Sequence, residues 1–284
     1  MKTISDIKSA RNTVQNWKKD GYTIGLVPTM GFLHDGHASL IEKAVKENDK
    51  VVVSIFVNPI QFAPNEDFDK YPRDLQKDSD LCKKLGADLI FAPTANEMYP
   101  SKIYTKVDVQ SLGDNLCGAK RQGHFSGVCT VVSKLFNIIK PDKAYFGQKD
   151  AQQLAIVKKM VEDLNFDIEI VPCKIIREPS GLAMSSRNAY LTDLQKNSAL
   201  IISKSLNEAL KSLKFGEQNV GKIKNIIEQK IKSEPLAKID YIEIVDLQSL
   251  EPVTKIQNDI LVAVAVFIGK TRLIDNFVFK MERE

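Results

Sequence analysis

The first two-thirds of the chain alternates short, almost wholly apolar runs with longer stretches whose apolar residues recur at helical spacing, and that rhythm limits the folds open to it. Residues 23–27 and 51–57 are β-branched runs of strand length, and between them Ala38, Leu40, Ile41, Ala44 and Val45 fall on one helical face. Residues 88–91 and 143–146 are further strand candidates. A helix marked by Leu75, Leu81, Cys82 and Leu85 precedes the first and stops at Gly86; another, over 128–139, precedes the second and stops at Pro141. A strand with no polar alternation has no solvent face. The pattern therefore predicts an α/β chain whose Rossmann-like parallel sheet carries helices on both faces.

Beyond about residue 190 the rhythm changes. Residues 192–214 form a long helical pattern opened by a Thr cap, and 220–232 a second. Three strand-like runs with polar turns follow, at 241–245, 259–267 and 273–279. Helices followed by adjacent strands predict a smaller α+β domain on an antiparallel sheet. The joint is placed at the turn-rich Glu178-Pro179-Ser180-Gly181, giving expected domains of 1–180 and 181–284.

Bulk properties narrow the function classes. Against 40 Lys and Arg stand 36 Asp and Glu, scattered along the chain, a balance that points away from nucleic acid. The four cysteines are far apart with no C-x-x-C pair and read as reduced thiols, neither a disulfide framework nor a zinc site. The N-terminus turns polar at once, and the longest apolar run, 260–268, is far below the roughly 20 residues that span a bilayer. The expectation is a soluble, cytoplasmic protein acting on small molecules, with no membrane and no nucleic-acid partner.

Chemistry concentrates in glycine-bearing loops. His34 and His37 form H-x-G-H after a strand and at the start of a helix, the place where open α/β sheets bind nucleotides. Gly31 and Gly36 allow tight turns and close approach of backbone to phosphate. The imidazoles can donate to phosphate oxygens, and a protonated one would offset charge on an α-phosphate under attack. Taken alone, the pair reads equally well as a surface feature or a metal site. Met184-Ser185-Ser186-Arg187-Asn188 sets two hydroxyls and a planar guanidinium on a short loop suited to outer phosphates; by itself it is equally an N-cap with a solvated Arg. Gly147-Gln148-Lys149-Asp150 lies at another strand-to-helix junction, where Lys149 can reach a phosphate. Gln61 and Gln153 are neutral donors able to orient a carboxylate without blunting its nucleophilicity, and Arg121 with His124 offers an anion grip before a helix.

Six ordered motifs now carry a resemblance covering nearly the whole chain. They are P-T-M-G-F-L-H-D-G-H at 28–37, V-S-I-F-V-N-P-I-Q-F at 53–62, Y-P-R at 71–73, G-H-F-S-G-V-C-T-V-V at 123–132, K-A-Y-F-G-Q-K-D-A-Q-Q-L at 143–154 and S-S-R-N-A-Y-L at 185–191. In these the chain resembles the AMP-forming pantoate–β-alanine ligases, a family of the nucleotidyltransferase superfamily. The resemblance implies attack of pantoate on the α-phosphate of Mg-ATP, then capture of pantoyl adenylate by β-alanine, within pantothenate and coenzyme A biosynthesis. It implies an ATP site lined by Pro28, Thr29, Met30, Gly31, His34, Gly36, His37, Gly147, Gln148, Lys149, Asp150, Ile176, Met184, Ser185, Ser186 and Arg187. Of these, His34, His37, Lys149, Ser185, Ser186 and Arg187 would be catalytic, His37 as proton donor. Pantoate would meet Met30, Gln61 and Gln153, and β-alanine Gln61; Mg²⁺ would ride on ATP phosphates with help from Asp78. A homodimer with a C-terminal lid is also implied. Gln122 stands where the family usually has proline, and Ile176 where valine is common, neither removing a reactive group. The rival readings are another H-x-G-H nucleotidyltransferase, which would not require Gln61 or Gln153, and a non-catalytic nucleotide-binding module.

Overall fold

In the computed structural model, which describes residues 1–64 and 66–281, the chain divides into two compact units. The first comprises Met1–Gln110, Arg121–Gln148 and Gln153–Lys174; the second comprises Ser111–Lys120, Lys149–Gln152 and Ile175–Glu284. The chain thus passes between units more than once, with its main crossing at Lys174.

The first unit begins with β1 (Lys2–Ile4), α1 (Ile7–Lys19), β2 (Ile24–Thr29), α2 (Asp35–Glu47) and β3 (Lys50–Ile55). It continues through α3 (Leu75–Lys84), β4 (Leu89–Phe91) and α4 (Ala95–Met98). The short α5 (Leu116–Lys120) belongs to the second unit, and α6 (His124–Ile139), β5 (Lys143–Gly147), α7 (Ala151–Asp163) and β6 (Glu169–Cys173) follow. The six strands form one wholly parallel sheet in the order β1-β4-β3-β2-β5-β6. From β2 the crossovers run toward β4, and from β5 toward β6. Because such crossovers are right-handed, α2 and α3 cover one face and α1, α6 and α7 the other. β3 is apolar at Val51, Val52 and Val53, all buried, as a strand covered on both faces requires.

The sheet reverses direction between β2 and β5, and Pro28 marks where the two part. The carbonyls of Thr23 and Thr29 accept from Lys50 and Phe56 on the β3 side, whereas the Ile24 carbonyl accepts from Asp142 on the β5 side. By alternation Pro28 faces β5, with no N–H to donate. Pairing between β2 and β5 is limited to Gly25 and Leu26. The carboxyl ends of the two strands diverge beyond that point.

Two strands fall outside the apolar runs of the sequence. β1 is only three residues long, and β6 carries Pro172, tolerated because β6 is an edge strand.

The second unit holds α8 (Asp193–Lys214), α9 (Val220–Lys232) and the antiparallel sheet of β7 (Ala237–Asp246), β8 (Ile260–Ile268) and β9 (Thr271–Phe279), in that order. α8 opens with a capping box in which Thr192 and Gln195 satisfy each other's backbone N–H groups. Ile202, Leu206, Ile223 and Ile227 pack from the helices against Ile260, Val262, Val264 and Val266 of β8. The turn at 178–181, expected as a joint, is the tip of a small hairpin within this unit. There Glu178 N–H donates to the Leu182 carbonyl, Met184 N–H donates to Ile176, and Gly181 takes φ +95°. All four cysteines are buried free thiols, and burial pushes Cys82 and Cys129 up to about 12, far from a nucleophilic thiolate. Among the described residues no helix is long and apolar enough to cross a membrane. Truncating Ile227 to Ala should lower the unfolding free energy by about 2–5 kcal/mol through cavity formation, measured by urea denaturation; an unchanged midpoint would place this core elsewhere.

Candidate active site

The loop leaving β2 is folded by its own backbone. Thr29 Oγ1 donates to the Ser54 carbonyl at 2.7 Å and accepts from Gly31 N–H at 3.1 Å. Gly31 takes φ +84°, and a Cβ there would stand 3.0 Å from both Asp78 Oδ2 and Ile55 Cγ2, so the position suits only glycine. Phe32 follows at φ 51°. Asp78, on α3 and 1% exposed, accepts from Phe32 N–H at 2.8 Å and Leu33 N–H at 2.7 Å, one amide on each oxygen. Burial pushes this carboxyl above its ordinary value although the two amides pull the other way. Among the described residues no group of three or more His, Cys, Asp or Glu could hold a metal.

His34 is the N-cap of α2. Its Nδ1 accepts from Gly36 N–H at 3.1 Å, while His37 Nδ1 accepts from His34 N–H at 3.3 Å, with ring centroids 4.1 Å apart. In this arrangement each Nδ1 faces a backbone N–H as its acceptor, which leaves Nε2 as the ring's donor position. What the pair supplies is two Nε2–H donors at the positive end of a helix, a setting favourable to anions.

Past β3, the turn Pro59–Gln61 holds Gln61, which is buried. Gln61 Oε1 accepts from Asn58 Nδ2 at 2.9 Å, and Gln61 Nε2 points to Met30 Sδ at 3.2 Å. Asn58 is itself fixed: Nδ2 also donates to the Gly127 carbonyl at 3.1 Å, and Oδ1 accepts from Tyr99 Oη at 2.8 Å. Gly127 is required, since a Cβ would lie 2.5 Å from the Ile60 carbonyl oxygen. The structure thus brings Met30 and Gln61 together, and Asn58, unremarked in the sequence, sets the Gln61 amide. Its only signal was the Asn-Pro turn, which is too common to single out.

Arg121 and His124 do not form an anion grip. Arg121 Nε and Nη2 clamp the Glu66 carboxylate, both at 2.6 Å, and Arg121 Nη1 donates to His124 Nε2 at 2.9 Å. His124 Nδ1 then donates to the Gln61 carbonyl at 2.8 Å. Burial raises the Glu66 carboxyl, but the Arg121 fork outweighs it and holds the group below the usual carboxylate range. The chain Glu66–Arg121–His124 is a brace for the Gln61 turn.

After β5 come Gly147 and a turn over Gln148–Asp150, with Gln153 half-buried on the first turns of α7. In the second unit, Lys149 Nζ lies 3.4 Å from Asp150 Oδ2, and its carbonyl accepts from Asn276 Nδ2 at 2.8 Å. Ser185 caps the turn Ser186–Tyr190, its Oγ accepting from Arg187 N–H at 3.2 Å; Ile176 and Met184 face each other across the hairpin. Asn188 Nδ2 ties the turn to Glu178 Oε1 at 2.8 Å and to the Ala183 carbonyl at 3.1 Å. The residues expected around ATP therefore fall into two sets, one in each unit.

The family model described as Pantoate-beta-alanine ligase matches residues 2–278. The chain belongs to this family. Among its relatives, a pantothenate synthetase of Clostridium botulinum (strain Loch Maree / Type A3) is 64% identical over 281 residues, covering 99% of this chain and 100% of that protein. That of Clostridioides difficile (strain 630) is 60% identical over 278 residues, covering 98% and 99%. A crystal structure of pantothenate synthetase from Thermus thermophilus superposes with a TM-score of 0.93 at 41% identity, over 98% of this chain and 99% of that one. The Francisella tularensis pantoate-beta-alanine ligase, solved in complex with beta-gamma ATP and beta-alanine, matches with a TM-score of 0.80 at 39% identity, over 98% and 97%.

Replacing Asp78 by Asn would set an amide NH₂ against a backbone N–H and leave one loop amide unpaired. The loop should loosen by about 1–3 kcal/mol, read as faster hydrogen exchange at the Phe32 and Leu33 amides. Unchanged exchange would show that the carboxylate does not hold the loop.

Proposed function

We propose that the chain joins pantoate to β-alanine at the expense of MgATP, forming pantothenate, AMP and pyrophosphate through pantoyl adenylate, and that the residues above carry it. A pantoate carboxylate oxygen bonds to the α-phosphorus as the bond to pyrophosphate breaks, and pyrophosphate leaves with the electron pair. The β-alanine amine then attacks the acyl carbon; AMP leaves with its electron pair, and the amine gives up a proton. The observation that carries the reading is the buried Gln61 amide, fixed by Asn58 beside Met30 past β3, while the paired histidines cap α2 after neighbouring β2. A neutral amide orients pantoate without forming the salt bridge that would quench its carboxylate.

In this reading His34 and His37 donate from Nε2 to phosphate, charge building on the α-phosphate being met by these donors and by the N-terminus of α2. Pro28, Thr29, Gly31 and Gly36 shape the backbone that ATP approaches, as do Gly147, Gln148 and Asp150 beyond β5. Lys149 supplies a point charge to the phosphates, and Ser185, Ser186 and Arg187 take the outer phosphates, with Ile176 and Met184 beside them. Pantoate contacts Met30, Gln61 and Gln153, and β-alanine contacts Gln61. Mg²⁺ enters with ATP, with Asp78 as its protein neighbour. Sequestering the adenylate keeps it from water and supplies proximity for the second step. A first unit for nucleotide and pantoate, a C-terminal unit whose main stretch begins at Ile175 and not at 181 and acts as lid, a cytoplasmic setting and a homodimer complete the proposal. The reduced, buried thiols are in keeping with the cytoplasm.

Supplied with ATP, pantoate and β-alanine, the protein should yield AMP and pantothenate, with AMP appearing only when both organic substrates are present; AMP release without pantoate would sink the reading. Lys149→Ala and His37→Ala should each slow pyrophosphate release by roughly 10²–10³-fold, the scale for losing one charge-stabilising donor. Near-normal rates would remove those residues from the reaction. Gln61→Ala should weaken use of pantoate and β-alanine and leave ATP binding intact, followed by calorimetric titration; loss of ATP affinity with pantoate affinity kept would reverse the role.

A further inference from the structure

β9 carries Arg272-Leu273-Ile274-Asp275-Asn276, a run that no step above uses. Side chains alternate along a strand, so Leu273, Asp275, Phe277 and Phe279 share the face toward the helices, and Arg272 and Asn276 share the other. On that second face Asn276 stands opposite Ala263, and Tyr241 opposite Ala265, small partners that leave room for main chain to lie close. Segments from far earlier in the sequence fill it. Arg272 binds Asp240 at 2.8 and 2.9 Å and turns its guanidinium to Cys117 Sγ, which lies 3.3 Å from Tyr241 Oη. Gln152 donates to the Leu112 and Asn115 carbonyls and accepts from Cys117 N–H, pinning 111–120 to 149–152.

We propose that Asn276 is a positioning residue for Lys149, acting through the main chain, and that the Asp275–Arg177 pair fixes Asn276 in turn. Lys149 sits in a 3₁₀ turn of three residues, a geometry with poor internal hydrogen bonding, and its flexible stem places the ammonium only as well as the backbone beneath it is placed. Asn276 Nδ2 donates to the Lys149 carbonyl at 2.8 Å from a strand held in register, since β9 is paired along its whole length with β8. The Asn276 N–H donates to Asp275 Oδ1 at 2.8 Å. Asp275, 3% exposed on the apolar face, is tolerated because Arg177 takes both its oxygens, at 2.6 and 3.0 Å. Arg177 belongs to the hairpin that ends in the Ser185–Arg187 loop, so one short run of β9 sets both phosphate-side elements of this unit.

The inference rests on the proposed role of Lys149, and a double-mutant cycle on the full chain separates the two. Asn276→Ala should lower kcat for pyrophosphate release by up to about 10²-fold, the scale of an ångström-sized misplacement, with little change in KM for pantoate. In a Lys149→Ala background the same substitution should cost less than about threefold, because the group it positions is gone. Asn276→Asp, which keeps the shape but replaces the donor with an acceptor facing the carbonyl, should behave like Asn276→Ala. An equal fall in both backgrounds, or full activity of Asn276→Ala with Lys149 intact, would overturn the proposal, as would loss of folding in both Asn276 variants. A wild-type chain that makes no AMP overturns the parent reading and this inference with it; a wild-type chain that turns over leaves only the cycle to decide.

Discussion

A parallel sheet can admit a ligand at its carboxyl edge only where neighbouring strands send their connections apart, and here that place is prepared by an amide that does not exist. Pro28 occupies the position in β2 whose N–H would have bonded β5, and pairing between the two strands goes no further than Leu26. The connections after β2 and β5 run to opposite faces from the same seam. The residues after β2 assigned to phosphate chemistry, from the Gly31 turn to the histidine cap of α2, start within a few residues of that interruption.

The groups that organise the site are mostly not those that would touch substrate. Asp78 holds the loop amides, Asn58 holds the Gln61 amide, and His124 holds the Gln61 carbonyl with Arg121 and Glu66 behind it. Asp78, Asn58 and His124 are buried polar side chains held by hydrogen bonds, which is the condition under which such groups confer a unique geometry and not a penalty. The same logic governs the histidines. Both Nδ1 atoms are committed to backbone amides, so local folding orients the two rings.

How much of this was legible depended on the range over which the deciding interaction acts. Val51–Val53, the capping Thr192 and the apolar 260–268 declare themselves, because strand burial and helix capping are written in adjacent residues. H-x-G-H was readable as a strand-to-helix turn for the same reason. β6 was hidden by Pro172, which edge placement excuses and local pattern does not. α1 had a readable signal, since Asp6 caps a run with Ala10 and Val14 buried at helical spacing. The loop-holding role of Asp78 was hidden because its two amides lie 45 and 46 positions away, and Arg121 looked like an anion grip because Glu66 is 55 positions away. Asn276, meeting Lys149 across 127 positions, leaves no trace in local sequence.

The apolar run at 260–268 looked at first like a question about membranes, but β8 bears on the order of assembly. One face of its sheet is covered by α8 and α9, which are near neighbours in the chain; the other is engaged by residues such as Cys117, which reaches Arg272 from 155 positions away. Contacts of that separation are slow to form, because the intervening chain must be drawn into a loop first. An isolated C-terminal piece could close the helical side at once, yet would hold Ala263, Ala265 and Asn276 bare for want of the segments from far earlier in the chain. The last hydrogen bonds to form in this unit would then be the ones that seat Lys149, so a molecule caught short of completion would look folded yet leave that turn unanchored.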